Sequence, residues 1–87
     1  MDFEWDEAKA LKNETKHGLS FSKARQCFFN PGVDIPDTPK DYGEDRINRC
    51  GRLDDGSPVV ICFTTRGRKI RLISAGPAKR EERDIIP

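Results

Sequence analysis

The chain has 87 residues, 34% of them hydrophobic and 36% charged, with a net charge of +1. That length gives one domain, spanning residues 1–87, with a thin core. No apolar run approaches the roughly 18–20 residues of a membrane span. Residues 1–45 hold six basic and ten acidic side chains, and residues 46–87 hold ten and five. Near-neutrality is therefore an average of an acidic first half and an arginine-rich second half, and the second half is suited to local phosphate binding. The start, Met1-Asp2-Phe3-Glu4, is acidic and lacks the basic and apolar regions of a signal peptide. The expectation is a cytoplasmic protein with no membrane contact.

Phe3-Glu4-Trp5 alternates and predicts a short strand with Phe3 and Trp5 turned to the core. Asp6 is placed to cap a helix over Glu7–Lys16, which Gly18 stops. Ser20 is placed to cap a second helix over Phe21–Phe29, with Phe21, Ala24 and Cys27 or Phe28 as its core face. Val33-Asp34-Ile35 reads as a strand ended by Pro36 and Pro39, and residues 36–45 as a polar loop. From Arg46 the pattern is β: a strand over Arg46–Gly51, an Asp-Gly turn at 54–57, and a central strand over Pro58–Thr65. After a turn at Arg66-Gly67-Arg68, Lys69–Ala75 forms a strand with Ile70 and Leu72 on one face and Lys69 and Arg71 on the other. Gly76-Pro77 is expected to break it, and Ala78–Ile86 to form a terminal helix. The order predicts an α+β fold, an antiparallel sheet of four to five strands with helices packed on one face. The other face carries charge.

Cys27, Cys50 and Cys62 are widely spaced and there is one histidine, so no paired-ligand zinc site can be assembled. No carboxylate cluster has metal-binding spacing. No cofactor is expected.

The pattern Phe3-x-Trp5-Asp6-x-x-Lys9-x-x-x-Asn13-x-x-Lys16-His17-Gly18-Leu19-Ser20-Phe21-x-x-Ala24-x-x-x-Phe28 resembles the N-terminal signature of the BrnT toxins. Glu44-x-Arg46, Gly51, Arg71-Leu72-Ile73-Ser74-Ala75 and Glu82-Arg83 continue the likeness, so that it spans residues 3–83. The resemblance implies a RelE-like α+β fold and a ribonuclease toxin of a type II toxin–antitoxin system that inhibits translation. It also implies a small ribbon-helix-helix (BrnA-like) antitoxin as partner, with operator DNA bound only through that antitoxin.

Metal-independent RNA cleavage needs a base for the 2′-OH, cations around the phosphorane and an acid for the leaving oxygen. Imidazole suits proton transfer near neutrality, and guanidinium grips phosphate with a planar fork. His17, Lys16, Arg46, Arg71 and Arg83 stand at positions matching the family and are the candidate catalytic set. Each also has a plainer role: His17 and Lys16 at a helix end, Arg46 beside Glu44 and Asp45, Arg83 on a helix surface. Trp5 is expected in the core rather than as a base-stacking platform. The family pattern has arginine where this chain has Gly76 and tyrosine where it has Ile86. These departures raise the alternative of a catalytically weakened or dead relative that binds its partner and helps to repress its operon.

Overall fold

The computed structural model describes residues 1–37 and 43–87. Strand β1 (Asp2–Glu4) leads into helices α1 (Glu7–His17) and α2 (Phe21–Ala24) and a 3₁₀ segment (Arg25–Phe29). Strands β2 (Gly32–Pro36), β3 (Ile47–Arg52), β4 (Pro58–Arg66) and β5 (Lys69–Pro77) follow, and then the short helix α3 (Arg80–Arg83). The five strands form one sheet in the order β1-β5-β4-β3-β2. The β2–β3, β3–β4 and β4–β5 pairs are antiparallel, and β1 joins β5 in parallel. This is the expected α+β class. Residues 38–42 of the expected polar loop, Pro39 among them, lie outside the described residues.

The local signals explain the first half. Asp6 sits in extended backbone and its Oδ1 accepts from the Lys9 N–H at 3.0 Å, which satisfies one of the donors exposed at the start of α1. The helix ends at Gly18, whose φ of 72° is left-handed and comfortable only without a Cβ. Ser20 caps α2 in the same way through the Lys23 N–H.

The expected nine-residue helix from Phe21 is α-helical only to Ala24 and then tightens to 3₁₀. The tighter winding eclipses residues three apart. It stacks Cys27 under Ala24, both fully buried, and brings Cys27 against the backbone of Gly51 in β3. Phe28 then packs edge-on to Phe63 and Phe3, at ring separations of 5.0 and 5.4 Å.

Two other expectations are corrected. Gly76-Pro77 does not break β5, because Gly76 pairs with Val60 and Pro77 with Val59. Pro77 is tolerated as the last residue of the strand. The terminal helix covers Arg80–Arg83 rather than Ala78–Ile86. The Lys79 N–H donates to Glu82 Oε1 at its start, and the chain then tightens into i→i−3 bonds at Ile85 and Ile86.

Strand alternation sorts the sheet into two faces. Val59, Ile61, Phe63, Leu72 and Ala75 point to one face and meet Leu19, Phe21, Ala24 and Cys27 in the core cluster. Phe21 is 1% exposed, and burying such a ring contributes roughly 1.5–3 kcal/mol. Trp5 packs edge-on to Phe21 at 6.0 Å, with its Nε1 donating to Glu7, so it belongs to the core wall as expected. Arg49 also points to this face. It donates to the carbonyls of Cys27 and Asn30 and to Asp34, and so stitches the 3₁₀ segment to β2 and β3.

The other face carries Asn48, Cys50 and Arg52 of β3, Val60, Cys62 and Thr64 of β4, and Arg71, Ser74 and Gly76 of β5. A register shift between Cys62 and Phe63 admits one extra residue of β5. The helical layer of α1, α2 and the 3₁₀ segment packs on the opposite side, and this face is open only in that sense: Ser74 is exposed on it, whereas Cys50, Cys62 and Thr64 are buried. Helix α3 comes down on one end of it, where Glu82 interacts electrostatically with Cys50 and Arg52 Nε donates to the Pro87 carbonyl.

Candidate active site

The open face is bordered by three elements that carry the predicted residues. Lys16 and His17 form the last turn of α1, where their charge also favours the helix dipole. Both are exposed. His17 does not project freely, because its ring lies against Gly76 of β5. A Cβ built on Gly76 would stand 3.4 Å from both Cγ and Nδ1 of His17. The family's arginine position is thus filled here by backbone and the neighbouring imidazole.

Arg71 projects from the same face at the other end of β5. Its Nη1 donates to Glu4 Oε2 of the adjoining strand at 2.6 Å, in register with Glu4↔Arg71 pairing. Gly76 and Arg71 are five positions apart on the strand, on the order of 15 Å along the backbone. Ser74 lies between them on the same face and is exposed.

Arg46 approaches from the opposite border. Its Nε is 3.6 Å from Glu44 Oε1, an ion pair rather than a hydrogen bond. Glu44 also reaches Arg66 at 3.4 Å. Thr64, buried on the open face, donates to the Asp45 carbonyl at 2.6 Å and anchors this segment over β4. The positive charge of Arg46 is felt at the Cys62 thiol of β4. Arg83 is exposed on α3, one residue after the Glu82 that faces Cys50.

The five residues do not form a single contact cluster: His17 lies against Gly76 and Arg71 projects from the same face, Lys16 turns with Lys12 and Thr15 to the outer side of α1, Arg46 pairs with Glu44, and Arg83 stands exposed on α3. Burial pushes all three thiols up, Cys27 to about 11, so none is poised as a nucleophile. Among the described residues, no three His, Cys, Asp or Glu side chains gather as a metal site.

Two residues of this site were not singled out from sequence. Glu4 is the partner that holds Arg71, and strand alternation alone could not show it. Asn13 stood in the family pattern without a role. In the structure its carboxamide bonds the backbone of Ala75, next to Gly76.

A five-stranded, mostly antiparallel sheet with a helical layer on one face defines the α+β class of fold that the resemblance implies. The family model for the ribonuclease toxin BrnT of type II toxin–antitoxin systems matches residues 5–82, and the chain belongs to that family. The 1.1 Å crystal structure of the Brucella abortus ribonuclease toxin BrnT is similar to it, with a TM-score of 0.72 and 24% identity. That match covers 92% of this chain and 99% of the Brucella chain, and it shows the shared fold. Comparison with curated protein sequences gives no significant match. No helix among the described residues is long and apolar enough to cross a membrane.

Proposed function

We propose that this chain is a cytoplasmic endoribonuclease that cuts RNA on the open face of its sheet without a metal ion. A ribbon-helix-helix antitoxin holds it silent. His17 moves the proton at the reacting 2′-OH or the leaving oxygen. Lys16 lies beside it to neutralise the phosphate, and Arg46, Arg71 and Arg83 surround the negative charge that builds on the phosphorane. Glu4 and Glu44 hold Arg71 and Arg46 extended before RNA arrives, so that less side-chain freedom is lost on binding.

The observation that carries this reading is the seating of His17 against Gly76, at the border of a polar face that Arg71 and Arg46 share. The departure at Gly76 does not empty the site, because an imidazole occupies the space. An arginine introduced there would start from a Cβ in van der Waals contact with that ring, 3.4 Å away.

The test is induction of the chain in bacterial cells together with cleavage of purified RNA in excess EDTA. Growth arrest and metal-independent cleavage are expected, both relieved by co-expression of a ribbon-helix-helix protein encoded next to it. Binding to operator DNA is expected only for the mixture with that partner. No arrest and no cleavage by the folded chain would overturn the reading and leave a partner-binding module.

A further inference from the structure

Strand β1 covers the outer edge of β5 only from Lys69 to Arg71. Among the described residues no strand lies beside the outward N–H and C=O groups of β5 beyond Arg71, and unpaired buried backbone is costly. At Ala75 a side chain takes the strand's place. Asn13 Nδ2 donates to the Ala75 carbonyl at 2.7 Å, and Asn13 Oδ1 accepts from the Ala75 N–H at 3.0 Å. The second amide hydrogen of Nδ2 goes to the Leu19 carbonyl at 3.1 Å. Asn13 is 8% exposed and is the buried residue of α1.

These three bonds bracket His17. Asn13 and His17 are four apart on α1, so they lie on one side of the helix, one turn above the other. Ala75 and Gly76 are consecutive on β5. The turn that delivers the Asn13 amide to Ala75 therefore delivers the imidazole to Gly76. The bond to Leu19 pins the chain just after the Gly18 turn, so the backbone is fixed on both sides of the histidine. Gly76 is not in left-handed backbone. Its missing side chain lets the ring lie over the backbone, where an added methyl group would touch Cγ and Nδ1 of His17 at 3.4 Å.

We propose that Asn13 is a positioning residue for the cleavage reaction: its amide clamps α1 to β5 and, with Gly76 as the seat, sets the His17 ring over the open face. This rests on the reading that His17 takes part in RNA chemistry. Asparagine alone fits the clamp. Aspartate lacks the two donors and would set a carboxylate against two carbonyl oxygens, and glutamine is one methylene too long.

The experiment measures kcat and KM for RNA cleavage, and the NMR resonances of the single histidine ring, in the purified full chain. Asn13→Ser and Gly76→Ala are made alone and combined with His17→Ala. A misplaced reacting group can cost about a hundredfold in rate. Asn13→Ser is expected to lower kcat by roughly ten- to a hundredfold with KM within about twofold. Gly76→Ala leaves the clamp intact and is expected to lower kcat by a smaller factor. It should not lower thermal stability, because alanine is no worse than glycine in a strand.

Both variants should move the His17 ring resonances, and neither should slow an enzyme already carrying His17→Ala. If Asn13→Ser does not fold, Gly76→Ala decides on the same readouts. Unmoved resonances, or rate losses that multiply with His17→Ala, would overturn the proposal. If His17→Ala cleaves as fast as the parent, the catalytic role of His17 fails, and with it the role of Asn13 in cleavage.

Discussion

The outer edge of β5 is covered in two different ways, and the difference marks where the site lies. From Lys69 to Arg71 it pairs with β1 in an ordinary parallel ladder, three residues long. At Ala75 the covering is one asparagine amide from a helix. A strand fills an edge with backbone and directs its side chains above and below the sheet. A helix end fills the same edge with one side chain and carries its next turn past the edge, over the face. The strand-covered half thus holds Arg71 through Glu4, and the helix-covered half holds His17. The fold needs both coverings, because an uncovered edge of β5 would invite pairing with another chain.

That contrast can be broken from the helical side first. Asn13→Ala leaves the Ala75 N–H and the Ala75 and Leu19 carbonyls without their partner. At about 1–3 kcal/mol for an unsatisfied buried group, partly relieved by water, the loss should be about 2–4 kcal/mol in urea unfolding. A loss under about 1 kcal/mol would show that the clamp is ornamental to the fold.

The strand side is expected to respond less. Phe3→Ala removes the ring that packs on Phe28 and Phe29 at 5.4 and 6.1 Å. Phe3 is only partly buried, so the cost should be about 2 kcal/mol, below the fully buried range. Glu4→Gln should cost under about 1 kcal/mol, since the Arg71 pair is partly solvated. The same change releases Arg71, and a titration should show RNA bound several-fold more loosely. An unchanged affinity would place Arg71 outside the RNA path.

Acid should weaken α1 before β4 and β5. The bond from the Lys9 N–H holds the Asp6 carboxyl below its usual value of 3.8. A depressed acid contributes stability above its unfolded value and loses it as pH falls through the folded one. Amides of α1 should therefore lose hydrogen-exchange protection below about pH 4 ahead of those in β4 and β5. In Asp6→Asn, which keeps a neutral cap, that pH dependence should shrink. The smallest effect on stability is expected from His17→Ala, within about 0.5 kcal/mol of the parent, because the side chain is exposed.

Much of this was legible in the sequence because it rests on local rules. Asp6, Gly18, Ser20 and the Asp-Gly turn mark their own element ends, and alternation in Lys69–Ala75 separates Arg71 from Leu72. Gly76-Pro77 misled because a local breaker signal gives way when Val59 and Val60 offer partners. The 3₁₀ turn at Cys27 depends on its packing against Gly51, far along the chain. The set of His17, Arg46, Arg71 and Arg83 came from the family pattern and from arginine-rich composition, not from spacing. Asn13 meets Ala75 across 62 residues and Glu4 meets Arg71 across 67, and no window along the chain spans such contacts.

The most direct test is the rate of RNA cleavage in excess EDTA by the parent chain, His17→Ala and Arg71→Ala, each verified as folded. The account predicts cleavage by the parent and a loss on the order of a hundredfold or more in both variants. Equal rates in all three, or cleavage that appears only when divalent metal is restored, would contradict it.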